Sequence, residues 1–199
     1  DAESFVQWED IVIQNETYRF MELLKRTKWP VFTVFFNYIV TLGVYPAWTS
    51  KLESTEYCLS SYRIRNDLFQ PMLLLVFNLF DLVGKFAAGY FIQYVVSGKS
   101  LMYTSLARLL LVPAFLFCNA SESNLNVIFA HDVWPITFMA LLGLSNGCVS
   151  SMGMMHGPSL VQSSKDKENC STMMVLVLSI GLLAGSICSF LVLRIGTGS

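Results

Sequence analysis

Asp81 and Lys85 are the residues best placed to do chemistry, because an acid and a base stand inside an otherwise apolar stretch. Their spacing of four residues puts both on one face of a helix, one turn apart. Each costs about 2.5–3.5 kcal/mol at the centre of a membrane helix, so neither is expected to face lipid. Asn78, three residues before Asp81, adds an amide to the same side. Such a face can hydrogen-bond a polar solute; the alternative is a structural salt bridge within the helix or to a neighbour.

Arg108 is a third charge within an apolar stretch. We expect it to have a structural role, pairing with a neighbouring helix at the inner end of the bundle. The alternative is a side chain that extends to the lipid headgroups.

The sequence predicts neither an enzyme nor a cofactor. Its two histidines, His131 and His156, belong to no His-Glu-x-x-His motif, and no Gly-x-Ser-x-Gly or P-loop motif is present. The five cysteines are widely scattered and contain no Cys-x-x-Cys pair. That spacing predicts neither a disulfide framework nor a metal site.

The composition predicts that these residues lie in a lipid bilayer. Of the 199 residues, 54% are hydrophobic and 14% charged, and the mean hydropathy is +0.53. A water-soluble domain carries about 25% charged residues, and a disordered chain has far fewer apolar ones. The net charge of −1 provides no basic field for nucleic acid. The bilayer is therefore a predicted partner, and nucleic acid is not.

Five segments predict an all-α, polytopic membrane fold. A spanning helix needs about 20 apolar residues, because hydrocarbon cannot satisfy backbone hydrogen bonds. Trp29 and Trp48 are expected to mark the two interfaces of the first segment, and Pro30 its helix start. The bundle covers residues 29–194, with spans at about 29–50, 71–94, 102–120, 133–155 and 172–193.

The flanking segments and the basic residues predict an orientation. Residues 1–28 are rich in charge, and we expect them to end a cytoplasmic loop, either as a short interfacial helix from residue 17 or as a partly ordered loop. With that segment inside, seven Lys and Arg residues fall in cytoplasmic loops and four on the other side. The bias favours a non-cytoplasmic C-terminus, with residues 195–199 as a short tail.

Two glycine pairs predict close helix packing. Gly143 with Gly147, and Gly181 with Gly185, are both GxxxG patterns, which let helix backbones approach closely in lipid.

Residues 77–85, FNLFDLVGK, resemble the FNxxDxxGR signature of the equilibrative nucleoside transporters. Further motifs follow in that family's order over about residues 29–194. These are LGVYPA at 42–47, ARL at 107–109 with VP at 112–113 and CN at 118–119, SNG at 145–147 with GP at 157–158, and GLLAG at 181–185.

The resemblance implies a major-facilitator-like fold of eleven helices arranged six plus five. This chain would be helices seven to eleven, the C-terminal bundle, and a six-helix N-terminal half would be its partner. The family moves nucleosides, and in some members nucleobases, by alternating access at a site between the bundles. A plasma-membrane location is expected.

The resemblance also implies roles for individual residues. Asp81 and Lys85 match the acid–base pair that contacts the nucleoside ribose, and Asn78 belongs to the same cavity. Tyr45 is expected to pack near the solute, and Leu182 to make an apolar contact.

Lys85 departs from the family pattern, which has Arg at this position. A planar fork is replaced by a point charge, so the choice between nucleoside and nucleobase stays open, as does proton coupling.

Two other functions remain as alternatives. One is a non-transporting membrane scaffold or degenerate homologue. The other is an organic-cation transporter with Asp81 as counter-ion, although Lys85 would repel such a substrate.

Overall fold

The computed structural model describes residues 2–54, 63–94, 97–120, 123–124 and 126–197. Residue 1 of the predicted loop and residues 198–199 of the predicted tail lie outside the described residues. Within the described ranges, five helical stretches are long and apolar enough to cross a membrane, which confirms the predicted number of spans. The helices are α1 (Ala2–Val44), α2 (Arg63–Phe91), α3 (Gly98–Ala107), α4 (Leu111–Leu116), α5 (Val133–Ser159) and α6 (Ser164–Thr197).

Helix α1 does not begin at Pro30 but runs through it. Proline removes one intrahelical hydrogen bond, yet apolar residues on both sides of it pack in one buried cluster. Leu23 precedes Pro30 and Val34 follows it, and both belong to one cluster with Met173 and Met174 of α6. Packing along this length keeps the helix continuous, so residues 17–28 do not form a separate interfacial helix.

Most helices extend beyond the spans that hydropathy predicts. Helix α2 begins at Arg63 and α6 at Ser164, each eight residues before the predicted span. A spanning segment is limited by the apolar thickness, whereas its helix can continue as polar turns in water.

The third span combines two α-helices of different lengths. A 3-10 turn at Arg108–Leu110 joins α3 to α4, and the helix ends at Leu116 rather than near residue 120. Pro113 lacks the N–H that would bond back to the 109 carbonyl, which is consistent with the tighter winding just before it.

Helices α1 and α5 form the centre of the bundle. Helix α2 packs mainly on α5, α6 mainly on α1, and α3 on both central helices. The polar side chains buried on the central helices therefore meet those of α2 and α3 inside the bundle.

Helices α2 and α5 meet backbone to backbone at glycines. A Cβ at Gly143 would lie 2.5 Å from the Phe77 carbonyl oxygen, and one at Gly147 only 2.0 Å from that of Asp81. No larger side chain fits these positions without parting the helices.

Helices α1 and α6 meet in a similar way at the second glycine pair. A Cβ at Gly181 would lie 3.1 Å from the Phe35 carbonyl oxygen, and one at Gly185 would lie 2.8 Å from that of Tyr38. The second contact is the tighter of the two.

Trp48, expected at one membrane interface, is fully buried within the protein. Its Nε1 donates to the Phe115 carbonyl at 2.9 Å, and Gly196 leaves room for its ring, since a Cβ there would lie 2.0 Å from it. The indole is thus a core side chain in the turn that follows α1.

Candidate functional site

A buried stripe on α2 determines where Asp81 points. The stripe recurs every three or four residues, the period of one helix face, and packs on α5. Asp81 is 8% exposed within it. The buried members are Phe69, Leu73, Phe77, Asp81, Gly84 and Ala88.

The structure brings Asp81 and Lys85 together as an ion pair. Lys85 Nζ lies 2.6 Å from Asp81 Oδ2, and the exposed fractions of the two side chains are 52% and 12% respectively. The lysine therefore extends from the α2–α5 interface to the surface of the bundle. An ammonium has three N–H donors, so Lys85 can serve Asp81 and a solute acceptor together.

Asn146 of α5 holds the other oxygen of the Asp81 carboxylate. Its Nδ2 donates to Asp81 Oδ1 at 2.7 Å. Its Oδ1 accepts from Asn37 Nδ2 at 2.9 Å and from the Thr41 hydroxyl at 2.8 Å, both on α1. One buried amide thus links α1 to the carboxylate on α2.

Arg108 lies at the far end of this network and is 4% exposed. Its Nε donates to Ser145 Oγ at 2.9 Å, and its Nη2 donates to Thr41 Oγ1 at 2.9 Å and to the Leu142 carbonyl at 3.1 Å. Its Nη1 donates to both the side-chain and the backbone oxygen of Asn37. All five N–H groups of the guanidinium are used.

Three members of the network, Asn37, Thr41 and Asn146, are absent from the sequence-predicted site. The available signal is the pair Asn37 and Thr41, which stand four residues apart in the first charge-free span. That spacing places an amide and a hydroxyl on one helix face in a segment that otherwise faces lipid or apolar neighbours.

Tyr45 packs on the buried stripe next to the position of Asn78. Its ring stacks on Phe77 with centroids 4.2 Å apart. Asn78 Nδ2 donates to the Leu74 carbonyl one turn earlier, at 2.8 Å. Asn78 is exposed, so its side chain lies at the surface of the bundle.

Leu182 lies apart from these residues in the packing scheme. It is half-buried on α6, which packs mainly on α1. The structure does not bring it together with the residues of α2.

The described part of the chain contains no cluster of metal-ligating side chains. Its His, Cys, Asp and Glu side chains form no group of three or more that could hold a metal ion.

Comparisons with known proteins agree on one family. The model of the Nucleoside transporter family matches residues 5–194. Human equilibrative nucleoside transporter 1 is 34% identical over 179 residues, which is 89% of this chain and 38% of that protein. Rat equilibrative nucleoside transporter 3 is 33% identical over 171 residues, 85% of this chain and 36% of that protein.

A plant relative gives a similar match. Equilibrative nucleotide transporter 2 of Arabidopsis thaliana is 31% identical over 159 residues, covering 80% of this chain and 34% of that protein. The chain spans little more than a third of the length of these curated relatives.

Proposed function

The chain belongs to the nucleoside transporter family, and we propose that it forms part of a carrier that moves nucleosides or nucleobases across a membrane. The observation that carries the proposal is the Asp81–Lys85 ion pair, which joins a buried carboxylate to a half-exposed ammonium at 2.6 Å. Five membrane-spanning helices and the family match support the transport of a solute rather than enzymatic chemistry.

The Asp81–Lys85 ion pair offers both a hydrogen-bond acceptor and a donor to the hydroxyl groups of a ribose. A carboxylate accepts hydrogen bonds from hydroxyl groups, and each of the two Asp81 oxygens has more than one acceptor site. Lys85 donates to hydroxyl or carbonyl oxygens. Because an ammonium lacks the planar fork of arginine, Lys85 recognises its acceptor as a point charge and not by bidentate geometry.

Tyr45 and Asn78 extend this face toward the end of the bundle. Tyr45 stacks on Phe77, the residue before Asn78, so an aromatic ring and an amide lie beside the turn of α2 that precedes Asp81. We assign both residues to the same solute site. Leu182 belongs to the site only as an apolar contact from another helix.

The complete carrier is proposed to have eleven helices, of which this chain supplies the last five. The relatives are almost three times as long as the matched segment, which leaves room for a six-helix partner bundle. In such carriers the solute sits between two bundles near the bilayer midplane, and the bundles rock around it. The exposed Lys85 would then face the partner bundle.

The basic residues support a cytoplasmic N-terminus and a non-cytoplasmic C-terminus for this part of the carrier. We propose that the protein lies in the plasma membrane.

The test is uptake of a labelled nucleoside by cells that express the complete gene product. Asp81→Asn and Lys85→Ala should abolish uptake while surface expression persists. Lys167→Ala, at an exposed lysine in the first turn of α6, is the matched control and should retain wild-type rates. Wild-type rates in both site variants would contradict the assignment.

Competition with unlabelled solutes identifies the substrate. Inhibition by nucleosides and not by nucleobases would assign a nucleoside carrier, and the reverse result a nucleobase carrier. Uptake of organic cations alone, or of no solute, would favour the cation-transporter or scaffold alternative. Lys85→Arg tests the departure from the family pattern, because a fork at this position should change the selectivity between the two classes.

A further inference from the structure

We infer that Asn146 and Asn37, anchored by Arg108, are positioning residues that fix the orientation of the Asp81 carboxylate for the solute. The inference rests on the proposed function, in which Asp81 accepts hydrogen bonds from ribose hydroxyls. None of these three residues is assigned here to contact the solute itself. They act through the hydrogen bonds that end on Asp81 Oδ1.

The hydrogen-bond chain from Arg108 to Asp81 has a fixed direction. Arg108 has only donors, and an ionised Asp81 has only acceptors. Asn37 therefore turns its Oδ1 toward Arg108 and its Nδ2 toward Asn146. Asn146 in turn directs its Nδ2 to Asp81. Reversal of the Asn37 or the Asn146 amide would place two donors or two acceptors against each other. The Arg108 cation therefore fixes the orientation of both amides.

Thr41 gives the chain a second, parallel route. Its hydroxyl accepts from Arg108 Nη2 at 2.9 Å, and its single proton has two acceptors at 2.8 Å, Asn146 Oδ1 and the Asn37 carbonyl one turn earlier. The Asn146 side-chain oxygen therefore accepts from Asn37 Nδ2 and shares the Thr41 proton with the Asn37 backbone carbonyl. As long as Asn146 Oδ1 keeps these bonds, Asn146 Nδ2 points toward Asp81.

The Asp81 side chain is held at both of its carboxylate oxygens. The terminal torsion of an aspartate has a broad, two-fold preference, so a free carboxylate samples many orientations. Here Oδ1 is held by Asn146 and Oδ2 by Lys85 at 2.6 Å. The plane of the carboxylate is fixed, and its remaining acceptor sites point in defined directions before the solute arrives. Binding then does not have to order this group.

The network joins α1 through Asn37, the third span through Arg108, α5 through Asn146 and α2 through Asp81, and all four residues are buried. A network of this kind also stabilises the bundle, so loss of stability alone does not identify a positioning role. A change in how strongly the protein discriminates between two solutes does identify a positioning role.

The experiment compares two solutes that differ only in the groups that meet Asp81. Two constants are measured by uptake into cells that express the complete gene product: the KM of a nucleoside and the inhibition constant of its 2′,3′-dideoxy analogue. Their ratio is the preference for the nucleoside. Because a hydrogen bond to a charged group is strong, the wild type should prefer the nucleoside by roughly tenfold or more. Asn146→Leu should reduce this preference to about twofold or less, chiefly by weakening the binding of the nucleoside.

A purely structural role for Asn146 predicts a different pattern. Lower expression or slower rocking would reduce the rate of nucleoside uptake and leave the ratio of the two constants intact. Ser150→Ala is the matched control on α5, since the buried Ser150 hydroxyl donates to carbonyls of its own helix, those of Asn146 at 2.6 Å and Gly147 at 3.4 Å. Its preference ratio should equal that of the wild type.

A milder variant guards against failure of Asn146→Leu to fold. Thr41→Val keeps the side-chain shape and removes one of the two donors to Asn146, so the preference should fall by about two- to threefold. Thr27→Val, at a buried threonine of α1 that donates to its own helix at the Leu23 carbonyl, is its control and should not change the ratio.

The outcomes separate the inference from the proposed function. If the wild type takes up neither nucleosides nor nucleobases, both are overturned; if it takes up nucleobases alone, the proposed function stands and the inference is overturned. If it takes up nucleosides but does not distinguish the dideoxy analogue, or if both Asn146→Leu and Thr41→Val keep the full preference, the inference alone is overturned. A reduced ratio in these variants, with unchanged ratios in Ser150→Ala and Thr27→Val, supports it.

Discussion

Gly147→Ala is the substitution for which the structure predicts the largest effect from the smallest change. A Cβ at this position would lie 2.0 Å from the Asp81 carbonyl oxygen and 2.8 Å from the Lys85 backbone nitrogen. Both are backbone atoms of α2, so no side chain can move aside. The two helices must part by about 1.4 Å, the difference between 2.0 Å and the 3.4 Å at which ordinary contact begins.

The separation would also break the hydrogen bond beside it. Asn146 Nδ2 and Asp81 Oδ1 are 2.7 Å apart, and the same displacement takes them to about 4.1 Å, beyond hydrogen-bond range. Overpacking of a core costs about 1–3 kcal/mol, and loss of a hydrogen bond to a charged group about 1.5–3 kcal/mol. The free energy of unfolding should therefore fall by about 2.5–6 kcal/mol.

The assay is thermal unfolding of the purified complete gene product, together with nucleoside uptake. Gly89→Ala is the matched control, because nothing lies within 4 Å of a Cβ at that glycine of α2. It should leave the stability unchanged or raise it by up to about 1 kcal/mol through the higher helix propensity of alanine, and it should retain uptake. If Gly147→Ala unfolds at the same temperature as Gly89→Ala and transports at wild-type rates, the close contact of α2 and α5 is refuted.

Three further substitutions test other parts of the fold. Arg108→Lys replaces five N–H donors with three. Buried oxygens that lose their donor should each lower the free energy of unfolding by about 1–3 kcal/mol. An unchanged unfolding temperature would contradict the use of all five guanidinium N–H groups. Arg19→Ala removes a part-exposed ion pair with Asp166 at 2.6 Å, and the unfolding free energy should change by less than about 1 kcal/mol; a larger loss would show that this pair is essential. Gly196→Ala forces a Cβ to within 2.0 Å of the Trp48 ring, and the displaced indole should shift tryptophan emission to longer wavelength, whereas an unchanged spectrum would place the ring elsewhere.

The five spans follow from the sequence because the cost of exposing a backbone to hydrocarbon leaves few alternatives. The same cost singles out Asp81 and Lys85, since a charge inside an apolar helix must find a partner or a polar cavity. Their spacing of one turn was sufficient to predict that they lie on one face, and the structure joins them at 2.6 Å. Their contact with a solute stays a prediction.

The partners of Asp81 could not be predicted in this way. Asn37 and Asn146 are separated by 109 positions in the chain, and a buried amide can be satisfied by its own helix or by any neighbour. Only the packing of α1 on α5 selects one arrangement. The continuation of α1 through Pro30 and the burial of Trp48 have the same origin, because tertiary contacts outweigh the local preference of each residue.

The most direct test of the central claim is equilibrium binding of a labelled nucleoside to the purified complete gene product and to its Asp81→Asn variant. The account predicts saturable binding by the wild type and binding at least roughly tenfold weaker in the variant, because a hydrogen bond to a charged group is lost. Equal affinity in the two proteins, with both correctly folded, would contradict it.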